Sequence, residues 1–284
     1  MTQLPQFWLN GQLTHDVGVT SRALHFGDGC FTTACVADGK LIDHDLHIAR
    51  LKHSIAALGL MDLDWGLFDT WLCRAIESLD PKVLAGMKIM LIRGAGGRGY
   101  APSLDAPTQV LIQTFAYPAH YSQWQEKGIR LTRCEFRLGD NPHLAGLKHN
   151  NRLEQVLIKQ ELHHINQNLK QNDPFDEVLV ENIHQHVIEA SSANVFWVHH
   201  NQVYTPQLTA SGVSGIARQR VLAYLADQTI PTHISDFPLS AVYPADEIFI
   251  TNALHGVVPV IQLNDQRFDI GPMTRLLQES LNRV

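Results

Sequence analysis

The chain has 284 residues, of which 45% are hydrophobic and 18% are charged, and its formal net charge at pH 7 is −6. This length predicts about two domains, with a core large enough to fold without disulfides or structural metals. No basic stripe or Lys/Arg cluster occurs, which argues against a nucleic-acid-binding protein, and no apolar run reaches the length of about 18 residues that a membrane helix needs.

The cysteines and the N-terminal segment indicate a reducing compartment. The four cysteines, Cys30, Cys35, Cys73 and Cys134, form no CxxC pair, so neither a disulfide framework nor a zinc ribbon is predicted. The segment MTQLPQFWLNGQL lacks the charged and apolar regions of a secretory signal. We therefore expect a cytoplasmic protein that acts on a small molecule, without a membrane or nucleic-acid partner.

In the first part of the chain, two hairpins are predicted, FWLNGQL on an Asn-Gly turn and CFTTACVADGKLI on an Asp-Gly turn. A helix should follow from Asp43 or Asp45 to Gly59, because its apolar residues repeat at three- and four-residue spacing. A further helix is predicted over about 64–79. Two long strands, VLAGMKIMLIRG and TQVLIQTFAYP, then flank a glycine-rich loop.

The segment YPAHYSQ at 117–123 is interpreted as a linker, which gives a smaller N-terminal domain of residues 1–116 and a larger C-terminal domain of residues 124–284 that carries Lys148. Helices are predicted beyond it at about 151–168, 216–228 and 271–282, with strands at 129–136, 176–181, 193–199, 202–205, 230–235, 246–251 and 257–263. Hairpins dominate both halves without regular alternation of strand and helix. The pattern indicates an α+β fold in two domains.

The glycine-rich loop LIRGAGGRGY contains a formal GxGxxG at Gly94, Gly96 and Gly99, the pattern of a dinucleotide-binding oxidoreductase. That motif works only where a helix begins at the loop, and the continuation YAPSLDAP contains two prolines that exclude this helix. Arg98 and Tyr100 are better suited to hold a substrate carboxylate, by a planar fork and a hydroxyl. A flexible hairpin loop with a surface arginine is the alternative.

The sequence contains 16 histidines, which raises the question of a metal site. The histidine pairs fall among polar, turn-like residues, and no HExxH motif occurs. We predict solvated histidines and no metal site.

Lys148 stands out because it follows the apolar run LAGL, a poor setting for a solvated ammonium group. A lysine in such a setting is either paired or chemically employed. A lysine that forms a Schiff base needs its pKa lowered from about 10.4 toward roughly 7–8. The apolar run before Lys148 and the neighbouring His149 and Arg152 would both lower the pKa of the lysine. A lysine paired with a carboxylate explains the pattern nearly as well.

A pyridoxal phosphate site would need two further features. An acid must keep the pyridine nitrogen protonated, and Glu189, just before the small-residue turn SSAN, is the candidate. A phosphate cup needs free backbone amides. Gly215 at a predicted helix start and the turn Thr251–Ala253 at a strand end could supply them.

These segments together resemble the fold-type IV pyridoxal-phosphate enzymes, the class IV aminotransferase-like family that includes branched-chain and D-amino-acid aminotransferases. The resemblance rests on FGDGCFTTA, HIARL, RGAGGRGY, NPHLAGLKHNNRLEQVL, EASSANVFW, SGIARQ and ITNALHGVVPV, which span nearly the whole chain in the family's order. It implies a two-domain fold like that of D-amino-acid aminotransferase, with the active site in the cleft between domains. It also implies a homodimer.

The resemblance implies roles for single residues. Lys148 would form the Schiff base with pyridoxal 5'-phosphate and act as acid and base, Glu189 would pair with the pyridine nitrogen, and Arg50 would bind the phosphate. From spacing alone, Arg50 would be a surface helix charge. The remaining cofactor-binding residues would be Gly215, Ile216, Ala217, Thr251, Asn252 and Ala253.

One departure affects this phosphate cup. Family members often carry a hydroxyl residue where Ala217 and Ala253 stand here. Contacts at these positions are therefore expected from backbone amides or from Asn252.

Strand alternation bears on the substrate side of the site. In CFTTA, Phe31 and Thr33 share one face while Thr32 points the other way. If Phe31 lines the site, Thr33 lines it too. A threonine pair present only for its β propensity is the alternative, and the roles of Asn151 and Arg152 stay open.

Within the family, the lysine segment and the RGAGGRGY loop resemble the lyase branch. This implies a carbon–oxygen lyase that converts 4-amino-4-deoxychorismate to 4-aminobenzoate and pyruvate in folate biosynthesis, by way of an external aldimine on the cofactor. An aminotransferase for D-amino or branched-chain amino acids is the alternative, since it would use the same lysine and glutamate. A non-catalytic protein that binds the cofactor is a second alternative, which the intact Lys148, Glu189 and Arg50 argue against.

Overall fold

The computed structural model describes residues 5–169 and 173–282, and contacts between Cα atoms divide the chain into two units. The first unit comprises the described residues up to Pro118 together with Lys148–Asn151. The second comprises Ala119–Leu147 and the described residues from Arg152 onward. Both units combine strands with helices, which confirms the α+β class.

The first unit is built on a six-stranded antiparallel sheet with strand order β2-β1-β6-β5-β3-β4. Its strands are β1 (Gln6–Leu9), β2 (Gln12–Leu13), β3 (Gly29–Ala37), β4 (Lys40–Leu41), β5 (Ala85–Arg93) and β6 (Thr108–Ala116). Its helices are α1 (Arg22–Phe26), α2 (His44–Leu58) and α3 (Trp65–Glu77).

Both predicted hairpins of this unit are confirmed. Asn10 and Gly11 join β1 to β2 with φ angles of 49° and 76°, and Asp38 and Gly39 join β3 to β4 with φ angles of 50° and 69°. Positive φ at both central residues defines the hairpin turn whose twist matches that of the strands. The Asn-Gly and Asp-Gly pairs predict these turns because Asn, Asp and Gly adopt positive φ angles more readily than other residues.

The two faces of the six-stranded sheet differ in burial. One face packs its apolar residues against α2 and α3. The other face is half-buried and carries Phe31, Thr33 and Lys88. Thr32 points to the helix side, where it is fully buried and its Oγ1 lies 2.6 Å from Nδ1 of His47 on α2. Thr33 therefore shares the face of Phe31, as strand alternation predicts.

The second unit is built on a nine-stranded mixed sheet. Eight strands follow the order β12-β11-β10-β13-β14-β7-β8-β9, and β15 pairs with β14. Its strands are β7 (Ile129–Leu138), β8 (Glu177–Asn182), β9 (Val187–Ala190), β10 (Asn194–His199), β11 (Gln202–Pro206), β12 (Thr232–Ser235), β13 (Glu247–Asn252), β14 (Gly256–Leu263) and β15 (Gln266–Arg267). Its helices are α4 (Tyr121–Lys127), α5 (Leu153–Asn168), α6 (Ile216–Asp227) and α7 (Pro272–Leu281), with a short 3₁₀ turn at Leu239–Ala241.

Apolar residues of this sheet face the helices of the second unit. Phe196 and Phe249 stack with ring centroids 5.0 Å apart and contact Val221 of α6 and Leu277 of α7 within one buried cluster. A separate cluster joins β7 and β8 to Ile158 on α5. The strands β8, β10 and β13 are buried over nearly their whole length, and each of them contains a run of apolar residues.

Three features of the structure were not predicted from the sequence. Residues 121–123 of the predicted linker form the first turn of α4, whose Tyr121 and Trp124 rings pack against each other and against His255. The strand β9 (Val187–Ala190) was not predicted from the sequence. Lys148–Asn151, expected in the C-terminal domain, lie with the first unit, because their backbone pairs with β3. The domain boundaries themselves stay predictions.

No helix within residues 5–169 and 173–282 combines the length and the apolar character that crossing a membrane requires.

Two buried histidines have strongly lowered pKa values. Burial, with the nearby charge of Arg50, lowers the pKa of His47 to about 3. Burial also lowers the pKa of His255, in the turn between β13 and β14, to about 4. Both imidazoles are therefore neutral in the folded protein at neutral pH.

We expect the free energy of unfolding to fall as the pH drops from 7 to 5. Because the pKa of each histidine is lowered on folding, the unfolded chain binds the proton first, and stability is lost as the pH falls from about 6.5 toward the folded pKa. At pH 5 each histidine should cost about 2 kcal/mol relative to pH 7. Urea denaturation at both pH values should show that His47→Gln loses about 2 kcal/mol less than the wild type on acidification.

Leu51→Ala is the matched control, since Leu51 lies on the same helix and is also fully buried. It should lower the free energy of unfolding equally at both pH values. The same acid-induced loss in the wild type and His47→Gln would contradict the prediction.

Candidate active site

The backbone of the lysine segment is held on β3. The N–H of Phe31 donates to the carbonyl of Lys148 at 2.8 Å, and the N–H of Asn150 donates to the carbonyl of Gly29 at 2.9 Å. Cys30 and His149 thus form an isolated antiparallel bridge. These two bonds fix the position of Lys148 against the strand that carries Phe31.

The side chain of Lys148 lies in the partly apolar setting that the sequence predicted. Its Nζ is 4.8 Å from the ring centroid of Phe31, and the preceding Leu147 is 4% exposed. The contact with the ring face attracts the ammonium form electrostatically. The amine of Lys148 therefore lies beside Phe31, on the half-buried face of the sheet.

Lys88 is a residue that sequence reasoning missed. It lies opposite Thr33 in the pairing of β5 with β3, and its Nζ is 4.5 Å from the same Phe31 ring. Burial lowers its pKa, and its side chain forms no hydrogen bond or ion pair with the described residues. Only the strand pairing brings this lysine to Phe31, so no local sequence signal could have found it.

Arg50 lies on α2, beside the buried thiol of Cys30. Burial lowers the pKa of Arg50 to about 10, which leaves the guanidinium charged at neutral pH. Burial also raises the pKa of Cys30 to about 11, so this thiol stays neutral. The structure therefore places Arg50 as a partly buried cation and not as a surface helix charge.

The glycine-rich loop after β5 ends in a closed turn. The N–H of Arg98 donates to the carbonyl of Ala101 at 3.1 Å, and the reverse bond measures 3.2 Å. Gly97 has φ of +79°, and a Cβ there would lie 2.1 Å from the carbonyl oxygen of Ala101, so only glycine fits. Arg98 is exposed, and Tyr100 is 88% exposed.

In the second unit, Glu189 on β9 is a buried carboxylate that is 6% exposed. Its Oε2 accepts a hydrogen bond from the N–H of Val213 at 2.9 Å. Burial lowers the pKa of Arg152, and the negative charge of Glu189 opposes that shift. Arg152 is therefore close enough to act as a counter-cation for Glu189, and it donates to the carbonyl of Leu147 at 3.1 Å.

Asn194 links Val213, which donates to Glu189, to the start of α6. Its Nδ2 donates to the carbonyl of Val213 at 2.8 Å, and its Oδ1 accepts from the N–H of Gly215 at 3.0 Å. A Cβ on Gly215 would lie 2.1 Å from Oδ1 of Asn194, so this approach requires glycine. The carboxylate and the helix start are thus held in one hydrogen-bonded network.

The N-terminus of α6 has the properties of an anion site. No side chain caps it, and its first turn carries no acidic residue. Ile216 is 1% exposed and Ala217 is 7% exposed, so their backbone amides lie in a buried environment. Helix N-terminal amides with a favourable dipole bind phosphate groups.

The turn after β13 is organised by Asn252. Its Oδ1 accepts from the N–H groups of Leu254 at 2.9 Å and His255 at 2.8 Å, and its Nδ2 donates to the carbonyl of Ser192 at 3.2 Å. The side chain of Asn252 is thus used to build the turn. The hydroxyl of Thr251 is fully buried and has no hydrogen-bond partner among the described residues.

Glu177 fixes the SSAN turn and was not identified from the sequence. Its carboxylate accepts hydrogen bonds from the hydroxyls of Ser191 and Ser192, the latter at 2.6 Å, and from Lys159 at 2.7 Å. It is 1% exposed. The turn that Glu177 fixes follows Glu189 directly, so Glu177 supports the second unit's part of the site.

One histidine pair lies beside a carboxylate. The donor atoms of His199, His200 and Asp246 all lie within 4.8 Å of one another. All three residues are at least partly exposed, and exposed groups of this kind are common without a metal ion.

Each unit, taken by itself, brings together several of the residues singled out from the sequence. The first unit brings together Phe31, Lys88 and Lys148, with Arg50 on α2 behind the same strand and the Arg98 loop at the end of β5. The second unit brings together Glu189, the start of α6 and, through the contact of Asn252 with the SSAN turn, the segment Thr251–Ala253. An amine, a buried carboxylate and an anion-binding helix start are the groups that a phosphorylated pyridine cofactor requires.

Comparison with known proteins identifies the class of enzyme. Residues 29–263 match the model of the class IV aminotransferases, so the chain belongs to this family. It is 40% identical over 280 residues to the aminodeoxychorismate lyase of Vibrio harveyi, which covers 97% of this chain and 99% of that protein.

Two solved structures show the same fold. 4-Amino-4-deoxychorismate lyase from Pseudomonas aeruginosa matches with a TM-score of 0.87 and 31% identity, over 96% of this chain and 97% of that one. An aminotransferase from Brucella abortus, solved with bound pyridoxal phosphate, matches with a TM-score of 0.82 and 24% identity, over 97% of this chain and 96% of that one. These matches confirm the fold-type IV architecture.

Proposed function

We propose that the chain is a pyridoxal-phosphate-dependent lyase that converts 4-amino-4-deoxychorismate to 4-aminobenzoate and pyruvate. The observation that carries this proposal is the 40% identity to a lyase of this name over nearly the whole length of both chains. The likeness to the Brucella abortus aminotransferase, at 24% identity, supports the shared fold alone. The reaction places the enzyme in the synthesis of 4-aminobenzoate for folate.

The residues fit the cofactor on structural grounds. The uncapped start of α6 and the buried, unpartnered hydroxyl of Thr251 suit a phosphate group. Arg50 adds a cation that burial leaves charged at neutral pH. Glu189, with Arg152 as a nearby counter-charge, suits a protonated pyridine nitrogen, because a carboxylate beside the ring favours the positively charged form of that nitrogen.

We assign the cofactor-binding roles accordingly. Lys148 anchors the cofactor, Glu189 holds the ring nitrogen proton, and Arg50 binds the phosphate. The backbone amides of the α6 start and of the turn after β13 complete the phosphate cup. The full set of proposed cofactor-binding residues is Lys148, Arg50, Glu189, Gly215, Ile216, Ala217, Thr251, Asn252 and Ala253. Asn252 contributes by shaping its turn, and Gly215, whose N–H is bonded to Asn194, contributes by its close approach at the start of α6.

When bound, pyridoxal phosphate supplies an electron sink that stabilises negative charge on the carbon next to the substrate nitrogen. Nζ of Lys148 takes the proton from that carbon and then delivers a proton to the departing enolpyruvyl group, which leaves as pyruvate. The carbon–oxygen bond breaks in the same sequence, and the six-membered ring becomes aromatic. Glu189, as a carboxylate, would accept a hydrogen bond from the protonated ring nitrogen and so hold that proton in place.

The substrate carries two carboxylates, and the first unit offers two cations for them. Lys88 is a half-buried ammonium without an ion pair among the described residues, on the sheet face that carries Phe31 and Thr33. Arg98, with Tyr100 beside it, provides a planar fork on an exposed loop. We propose that Lys88 and Arg98 each take one carboxylate, while Phe31 and Thr33 line the substrate.

We further propose that the enzyme acts in the cytoplasm as a homodimer. The four cysteines, three buried and one exposed, are all free thiols, which suits a reducing compartment. The dimer is the expectation of the fold-type IV resemblance.

Lys148→Ala should abolish product formation. General acid–base catalysis alone contributes about 10²- to 10⁴-fold, and loss of the covalent anchor adds to this, so we expect a decrease in kcat of more than roughly 10⁴-fold. The assay supplies purified protein with pyridoxal phosphate and 4-amino-4-deoxychorismate, and measures 4-aminobenzoate by fluorescence and pyruvate by a coupled dehydrogenase. The wild type should release both products in equal amounts.

Lys127→Ala is the matched control, since Lys127 is an exposed lysine on α4. It should retain wild-type turnover. Activity of Lys148→Ala within a few-fold of the wild type, or a wild type that forms the amine form of the cofactor from D-alanine and no 4-aminobenzoate, would refute the lyase assignment.

Lys88→Met should raise KM for 4-amino-4-deoxychorismate by roughly 10- to 100-fold, because an ion pair to one substrate carboxylate is lost. The change keeps the length and apolar character of the side chain. The absorbance of the bound cofactor should stay that of the wild type. Lys82→Met, at an exposed position before β5, should leave KM unchanged, and an equal effect of both substitutions would contradict the assignment of Lys88.

A further inference from the structure

Arg22 is a buried arginine that the sequence reasoning did not single out. It begins α1 and is 6% exposed. Its Nε donates to Oδ2 of Asp28 at 2.8 Å. Because the guanidinium is planar and rigid, fixing Nε also fixes the direction of its two terminal nitrogens.

The terminal nitrogens of Arg22 bond the tip of the glycine-rich loop. Nη1 donates to the carbonyl of Gly99 at 3.0 Å, and Nη2 donates to the carbonyl of Tyr100 at 3.1 Å. Gly99 and Tyr100 are the two central residues of the closed turn that Arg98 begins. The guanidinium of Arg22 therefore holds the carbonyls of both central residues of this turn.

Aromatic packing supports the same position of the loop. The guanidinium carbon of Arg22 lies 4.9 Å from the ring centroid of Phe26, and this ring lies 5.4 Å from the ring of Tyr100. The loop tip is thus held at its backbone by Arg22 and at the Tyr100 ring by Phe26.

Asp28 also binds a second arginine with a different target. Nε of Arg93 lies 3.0 Å from Oδ2 of Asp28, and its terminal nitrogens donate to the carbonyls of Leu58 at 2.8 Å and Gly59 at 2.7 Å. Arg93 therefore anchors the end of α2 and not the loop tip. The two arginines share burial, charge and a carboxylate, and they differ in what they hold.

We propose that Arg22 is a positioning residue for substrate binding. It holds the backbone at Gly99 and Tyr100, and so directs the side chain of Arg98 toward a carboxylate of the substrate. The inference rests on the proposed function, because Arg98 has this role only if the substrate carries a carboxylate. Arg22 itself acts through the loop and does not touch the substrate.

Arg22→Lys should raise KM for 4-amino-4-deoxychorismate by roughly 10- to 100-fold, because a lysine retains the charge but cannot bond Asp28 and both carbonyls together. It should change kcat by less than about threefold, since Arg98 binds the carboxylate equally in the ground state and the transition state. The absorbance of the bound cofactor should not change. Arg22→Gln carries the same expectation and replaces Arg22→Lys if the latter does not fold.

Arg93→Lys is the matched control, and it should lower the melting temperature without raising KM. A double-mutant cycle with Arg98→Ala separates positioning from general destabilisation. If Arg22 acts through Arg98, Arg22→Lys should change KM by less than about twofold in the Arg98→Ala background. Effects on KM that multiply in the double variant, or an equal rise in KM for Arg93→Lys, would overturn the proposal.

Limited trypsin digestion tests the same proposal without turnover. Cleavage after Arg98, followed by mass spectrometry on the cofactor-loaded protein, should be faster by about tenfold in Arg22→Lys than in the wild type and in Arg93→Lys, because the tip opens more often. Equal cleavage rates would overturn the loop anchor even if the wild type forms 4-aminobenzoate. If Arg22→Lys is cleaved faster than the wild type, but the wild type forms no 4-aminobenzoate, the anchoring of the loop by Arg22 stands and only the lyase assignment is refuted.

Discussion

Two backbone hydrogen bonds tie the lysine segment to β3, and the chemistry of the first unit depends on them. They place Lys148 beside Phe31 although the two residues are far apart in sequence. The same strand presents Thr33 to the half-buried sheet face and Thr32 to His47 on the helix side. A short segment without helix or long strand is thereby fixed against the sheet, and such fixing is what the proposed role of the Lys148 amine requires.

The second unit meets a different physical demand, that of burying a carboxylate beside partners that compensate its loss of hydration. Glu189 accepts a hydrogen bond from the backbone of Val213 and lies near the charge of Arg152. Asn194 extends this network to Gly215 at the start of α6. The glycine at position 215 is needed because the amide oxygen of Asn194 occupies the space of a Cβ.

Local signals in the sequence predicted the elements well. The Asn-Gly and Asp-Gly turns, the end of α2 at Gly59 and the apolar setting of Lys148 all arise from neighbouring residues. Lys88, Glu177 and Arg22 could not be found in this way, because strand pairing or a hydrogen bond across many residues gives them their surroundings.

The roles of single residues needed the family resemblance as well. Spacing placed Arg50 on a helix surface, whereas the structure places it beside Cys30. Asn252 is a second case, because the resemblance implies a place for it in the phosphate cup, and the structure adds that its side chain accepts two backbone N–H groups of its own turn.

The central claim is that the amine of Lys148 carries the cofactor, and reductive trapping tests it most directly. Purified protein loaded with pyridoxal phosphate would be treated with borohydride, digested and mapped by mass spectrometry. We predict one phosphopyridoxyl group on the peptide that contains Lys148, and its loss when 4-amino-4-deoxychorismate is added before reduction. The label on Lys88 or another lysine, or no label on protein that still forms 4-aminobenzoate, would contradict the account.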